Sequence, residues 1–184
     1  RENVLTLLGQ IFHRELAREL CRRSGVEVTA ATLMRATTSW PHMLSFVPLR
    51  IADIIEQTAS ALAVPLKKYL VVAMNRPRLF THPAEKALAK ADDLAAVLGC
   101  SRQQIIAMMM KEPCLFYSAV ASISVNRQRA IEGLGISAAQ YTKAAGNQPR
   151  LLTASFAKLS HTFTTAADAL QIDPREYLKA CLRM

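Results

Sequence analysis

Arg76-Pro77-Arg78-Leu79-Phe80 is followed 36 residues later by Glu112-Pro113-Cys114-Leu115-Phe116, and after 36 more by Gln148-Pro149-Arg150-Leu151-Leu152. Trp40-Pro41-His42-Met43-Leu44 stands the same distance before them. A second landmark keeps the step, because Leu62, Leu98, Leu134 and Leu170 are also 36 apart. Two landmarks in one register define a tandem repeat. A period of this length is the mark of thin units that bury their apolar faces only against neighbours.

Within a unit the local signals are helical. Ser101-x-x-Gln104, Ser137-x-x-Gln140 and Asp173-x-x-Glu176 fit the capping box, in which each side chain satisfies an orphan helix N–H. Pro174 falls at a first helical position, where a missing N–H costs nothing. Each cap opens a helix of about ten residues. Tyr69, Leu70, Ala73 and Met74 in one unit correspond to Ile105, Ile106, Met109 and Met110 in the next, a core stripe at helical spacing. The recurring proline ends that helix, since it disfavours the α conformation of the residue before it and removes a donor. Leu44, Phe80, Phe116 and Leu152 follow, then a longer segment, such as Val120 to Leu134 or Phe156 to Leu170, that also reads as helix.

The expected fold class is therefore all-α, an α-solenoid of 36-residue units (helix, proline-marked corner, longer helix) curving into a superhelix with one continuous groove. A single solenoid is expected across 1–184: a partial repeat 1–27, repeats 28–63, 64–99, 100–135 and 136–171, and a partial repeat 172–184. Leu5-Thr6-Leu7-Leu8 takes the corner slot of a unit without its proline, and Met184 stands one place before the next expected one. A piece of a longer array, broken within a unit at both ends, is the expectation.

Composition excludes several classes. With 51% hydrophobic residues the 184-residue chain is no disordered tail, and only 6 Gly with 8 scattered Pro argue against a collagenous or turn-rich β protein. No apolar run approaches the roughly 18 residues of a membrane span, so no membrane association is expected. Cys21, Cys100, Cys114 and Cys181 form no CxxC pair and read as reduced thiols, which points to a reducing compartment: an organelle matrix, the cytoplasm, or a host cell for a secreted effector. His13, His42, His82 and His161 fall in different units without metal-site spacing, and no phosphate-binding glycine loop or nucleophile elbow occurs. No catalytic residue, metal or cofactor is expected. Met108-Met109-Met110 reads as core packing.

The run Leu98-Gly99-Cys100-Ser101-Arg102-Gln103-Gln104-Ile105-Ile106, with Pro113-Cys114-Leu115-Phe116 after it, resembles the repeat of the mitochondrial transcription termination factor (mTERF) family. Leu134-Gly135-Ile136-Ser137 with Pro149-Arg150-Leu151-Leu152 is similar to it as well. The resemblance covers nearly the whole chain. It implies a curved stack of helical units whose basic inner surface binds double-stranded DNA or RNA, in organellar transcription or RNA processing, without catalysis. A bacterial protein of the same architecture reads similarly.

Charge points the same way independently. Lys and Arg number 23 against 14 Asp and Glu, a net +9 that favours a polyanionic partner. One column of the register carries Arg14, Arg50, Lys86, Ser122 and Lys158. The position after the proline carries His42, Arg78, Cys114 and Arg150, and two residues before it stand Ser39, Asn75, Lys111, Asn147 and Arg183. In a stack of units such columns become ladders that can track a phosphate backbone. Arg50, Arg78, Lys86, Lys111, Arg150 and Lys158 are the expected phosphate contacts; Asn75 and Asn147, near the same corner, are candidates to reach sugar or base edges, but base readout is not expected. A repeated cation is also what a solvated helix face looks like, and Lys111 and Arg183 suit the negative end of a helix dipole. Arg14-Glu15, Arg18-Glu19 and Arg22-Arg23 read as an exposed mixed-charge face. Trp40 is expected to be half-exposed, in a column that is polar elsewhere. The rival reading is a protein-interaction scaffold, with a protein partner in the groove. A monomer is expected under either.

Overall fold

The computed structural model describes residues 4–173 and 176–177; Pro174, Cys181, Arg183 and Met184 lie outside the described residues. Among the described residues every regular element is a helix, so the chain is all-α. The order is α1 (Val4–Ser24), α2 (Ala30–Ser39), α3 (Pro48–Ala61), α4 (Leu66–Asn75), α5 (Ala84–Leu98), α6 (Arg102–Lys111), α7 (Val120–Leu134), α8 (Ala138–Asn147) and α9 (Phe156–Leu170). Short 3-10 turns at Pro41–Ser45, Pro77–Thr81, Pro113–Phe116 and Pro149–Leu152 join α2 to α3, α4 to α5, α6 to α7 and α8 to α9.

The ten-residue helices α2, α4, α6 and α8 begin 36 residues apart, and each begins as its sequence dictates. Ser101 and Ser137 form complete capping boxes: the Ser101 N–H donates to Gln104 Oε1 at 2.9 Å, the Ser137 N–H to Gln140 Oε1 at 2.8 Å, and each serine Oγ accepts from the glutamine N–H at 3.2 Å. Thr29 caps α2 with its hydroxyl, and Pro65 occupies the cap of α4. Asp173 accepts from the Glu176 N–H at 3.3 Å. The proline then turns the chain out of each helix into a 3-10 turn, whose tighter winding needs no donor at its first residue.

The longer helices close alike. Val64, Cys100, Ile136 and Ile172 each donate an N–H to the carbonyl five residues back, at Ala59, Ala95, Ile131 and Ala167. This Schellman closure requires a left-handed residue just before the donor. Gly99 (φ +65°) and Gly135 (φ +64°) supply it without strain, whereas Ala63 (φ +52°) and Gln171 (φ +54°) adopt it at a steric cost. Ala63→Gly is therefore expected to stabilise the protein by about 0.5–1 kcal/mol, the left-handed penalty less the glycine's extra unfolded-state entropy. Gly99→Ala, whose new Cβ meets nothing within 4 Å, should cost a similar amount through the backbone alone. Paired urea titrations of the two variants check both signs.

Contacts divide the chain into two compact units, Arg1–Ala89 and Lys90–Met184, the boundary falling inside α5. In the first, α1 packs on α2 and α3 around Leu16, Leu20, Leu33, Ile51, Ile55, Tyr69, Leu70 and Phe80, all buried. His13 is buried there against the Thr37 hydroxyl at 2.8 Å, and its burial holds the imidazole below its usual range. In the second, Ile105, Met109, Leu115, Phe116, Tyr141 and Leu152 are buried, and Met108 and Met110 join them as core. The side chain of Thr142 donates to the Leu98 carbonyl at 3.1 Å, and Lys90 Nζ to the Ser118 carbonyl at 2.9 Å.

Two expectations change. Leu5-Thr6-Leu7-Leu8 is not a corner: without a proline nothing stops the helix, and α1 runs unbroken for 21 residues. Nor is the α1 charge run wholly a solvated face. The Arg23 side chain is only 12% exposed and bridges Glu19, Asp53 and Glu56 at 2.6, 2.9 and 2.7 Å. Hydrogen bonds from Arg22 and Arg23 hold the Glu19 carboxyl down at about 2. Leu44, in the slot of the buried Phe80, Phe116 and Leu152, is not buried but 52% exposed, while its neighbour Met43 is buried like Leu79 and Leu115.

Candidate functional site

The cation column that includes Arg50, Lys86 and Lys158 gains its meaning from where the second helices start. The helix-opening carbonyls belong to Val47, Pro83, Ala119 and Ser155, which accept from the N–H groups of Ile51, Ala87, Ile123 and Leu159. Counting from those residues, Arg50, Lys86, Ser122 and Lys158 are each the third residue of their helix. A cation in the first turn faces the positive end of the helix dipole, where an acid is the stabilising choice. Arg14, by contrast, lies within the long α1 and shares the column in sequence only.

The post-proline column sits in the preceding 3-10 turn. In the second unit it meets the first: Arg150, Thr153, Ala154, Ser155 and Lys158 line one hollow of about 400 Å³ at the start of α9. Ser155 caps α9 with its hydroxyl, and Thr153 Oγ1 donates to the Arg150 carbonyl at 3.1 Å, closing the turn. Arg150 is 86% exposed, and its Nε lies 3.5 Å from Oε2 of the buried Glu112, a long pair that leaves most of the guanidinium in solvent.

The first unit carries the same arrangement of types. Thr81 Oγ1 lies 3.4 Å from the Arg78 carbonyl, and Lys86 follows in the first turn of α5. Here the turn is also tied to the unit before it. Trp40 Nε1 donates to Thr81 Oγ1 at 3.1 Å, and the Arg78 guanidinium lies 5.3 Å from the centre of the indole. His42 meets Trp40 and Phe46 edge to face, at 5.9 and 5.3 Å. Trp40 is half-buried, as expected, and serves as a staple between successive corners.

All six expected contacts are exposed. The structure brings Arg150 and Lys158 together and repeats their spacing with Arg78 and Lys86. Arg50 has the same helix position, with His42 in place of the turn arginine. Lys111 is placed otherwise: it ends α6, and its Nζ reaches the Gly146 carbonyl at 3.5 Å. Asn75 spends an amide N–H on the Val71 carbonyl at 3.2 Å. The hydroxyls Thr81, Thr153 and Ser155 escape a reading of charge alone. Their signal is the parallel of Pro77-Arg78-Leu79-Phe80-Thr81 with Pro149-Arg150-Leu151-Leu152-Thr153, which continues one residue past the motif used to set the register.

Among the described residues no three of His, Cys, Asp and Glu gather as metal ligands, and no helix is long and apolar enough to cross a membrane. No protein-family model matches the chain, and no curated protein matches it.

Proposed function

We propose that this is a non-enzymatic helical-repeat protein that grips the phosphate backbone of DNA or RNA through the cationic corners of its repeats, with the repeats stacked as an α-solenoid, as the mTERF-like resemblance implies. One observation carries the reading: a cation stands at the third residue of three second helices, where it works against the dipole by a few tenths of a kcal/mol. Helix stability does not account for that choice, and a bound anion does. A phosphate there meets the cation, the first-turn N–H groups that lack a carbonyl partner within the helix and, in the two Arg-x-x-Thr corners, a second cation eight residues earlier. Lys111 is served by the carbonyl end of a helix and ranks as a secondary contact.

Backbone contacts of this kind are independent of sequence and release counterions. If about five of the six cations meet phosphates, log K for a random duplex should fall against log salt with a slope of about −4 to −5. Fluorescence anisotropy over a salt series, with DNA and RNA duplexes side by side, measures it; a flat line overturns the proposal. A protein-scaffold role, including that of a secreted effector, is the second reading, favoured by the exposed Leu44, Val47 and Leu49 around the start of α3. It predicts no salt-dependent duplex binding, so the same titration separates the two.

A further inference from the structure

A cavity of about 800 Å³ lies wholly within the second unit, between α6 and α8. Small residues create it: Gly99 at the corner, Ala107 on α6, and Ala138, Ala139 and Gly146 on α8 leave the two helices unfilled along one side. Leu98 and Met108 add apolar wall. The volume lies in the range of sites for small organic molecules, roughly 300–1,000 Å³.

Its charged groups are of one sign. Arg127 reaches it from α7 and Lys143 from α8, while no carboxylate is among the lining residues. Arg127 Nε is buried and meets no hydrogen-bond acceptor. Among the described residues neither Arg127 nor Lys143 forms an ion pair. The protein's own weak acids nearby do not fill the gap: burial pushes up both the Cys100 thiol and the Tyr141 phenol, so both stay neutral. A buried guanidinium donor without an acceptor is costly unless something else supplies one. Gln104 uses its carbonyl oxygen in the capping box, which leaves its NH2 at the rim as a further donor.

We propose that this cavity binds a small organic anion, a phosphate or carboxylate head held by Arg127 and Lys143 with an apolar body against Leu98, Met108 and the alanines of α8. The site is separate from the corners at Arg78 and Arg150 and does not depend on nucleic-acid binding.

Calorimetric titration of the protein with octyl phosphate and with octanoate tests it, with inorganic phosphate as a head-only probe and octanol as a body-only probe. At least one amphiphilic anion should bind about tenfold or more tightly than either control, and the tighter of the two identifies the head. Arg127→Met keeps the side chain's length and removes the buried donor, so the variant should fold, by circular dichroism, and bind the anion about tenfold or more weakly. Lys143→Gln, at an exposed rim position, provides the same test should Arg127→Met not fold, and should weaken binding severalfold. Absence of binding by either anion, octanol binding as tightly as the anions, or unchanged affinity in the folded variants overturns the proposal.

Discussion

Phe116→Ala is expected to cost about 3–5 kcal/mol, which is most of the stability of an ordinary small domain. The ring is 1% exposed, in a turn that packs against α6, whose Ile105 and Met109 are buried as well. Truncation leaves a cavity that helices held by Schellman closures and capping boxes cannot collapse without breaking those hydrogen bonds. The register supplies its own control. Leu44 occupies the same slot 72 residues earlier and is 52% exposed, so Leu44→Ala should cost under about 1 kcal/mol. Urea unfolding of the two variants gives the comparison directly. A small loss in Phe116→Ala, or equal losses in both, would show that the slot does not define the core of its unit.

The double reversal Arg78→Glu with Arg150→Glu should weaken binding to every duplex alike, by about tenfold or more for each residue at low salt, and should make the salt dependence shallower. Both side chains are exposed, but Arg150→Glu sets a second carboxylate near the buried Glu112, so some loss of stability is expected at that corner. At the other corner Arg78 lies over Trp40, and some loss of stability is expected there from the lost cation–π contact. Arg78→Gln in a parallel variant removes the charge and the cation–π contact without introducing repulsion, and its urea unfolding measured beside its affinity tells the loss of stability from the loss of binding. Unchanged affinity in the double variant would remove the corners from the interface.

The repeat was legible because each signal that defines it is local. A proline acts on its own residue and the one before, a Ser-x-x-Gln box on four residues, and an apolar stripe on one helix face. Those elements came out with the bounds that their residues imply, Val120–Leu134 and Phe156–Leu170 among them. The helix position of the cations was less visible. Among the second helices with a cation at the third residue, only α9 opens on a side-chain cap, at Ser155; Val47 and Pro83 open theirs with backbone groups alone. Without a cap to count from, Arg50 and Lys86 read as cations on a helix face rather than in its first turn.

What one unit's residues specify, then, is that unit's helices, its corner and which of its positions are apolar, since those follow from torsional preference and hydrogen-bond satisfaction along a short stretch of chain. Which positions the neighbours cover was decided only in three dimensions. Leu44 and Phe116 share a slot and differ in burial; Arg23 looks like a surface charge and is enclosed by three carboxylates; Arg127 and Lys143 stand in unrelated columns and line one cavity. Burial and the electrostatics that depend on it are properties of the atoms that happen to lie within a few ångströms, and residues far apart in the chain supply those atoms.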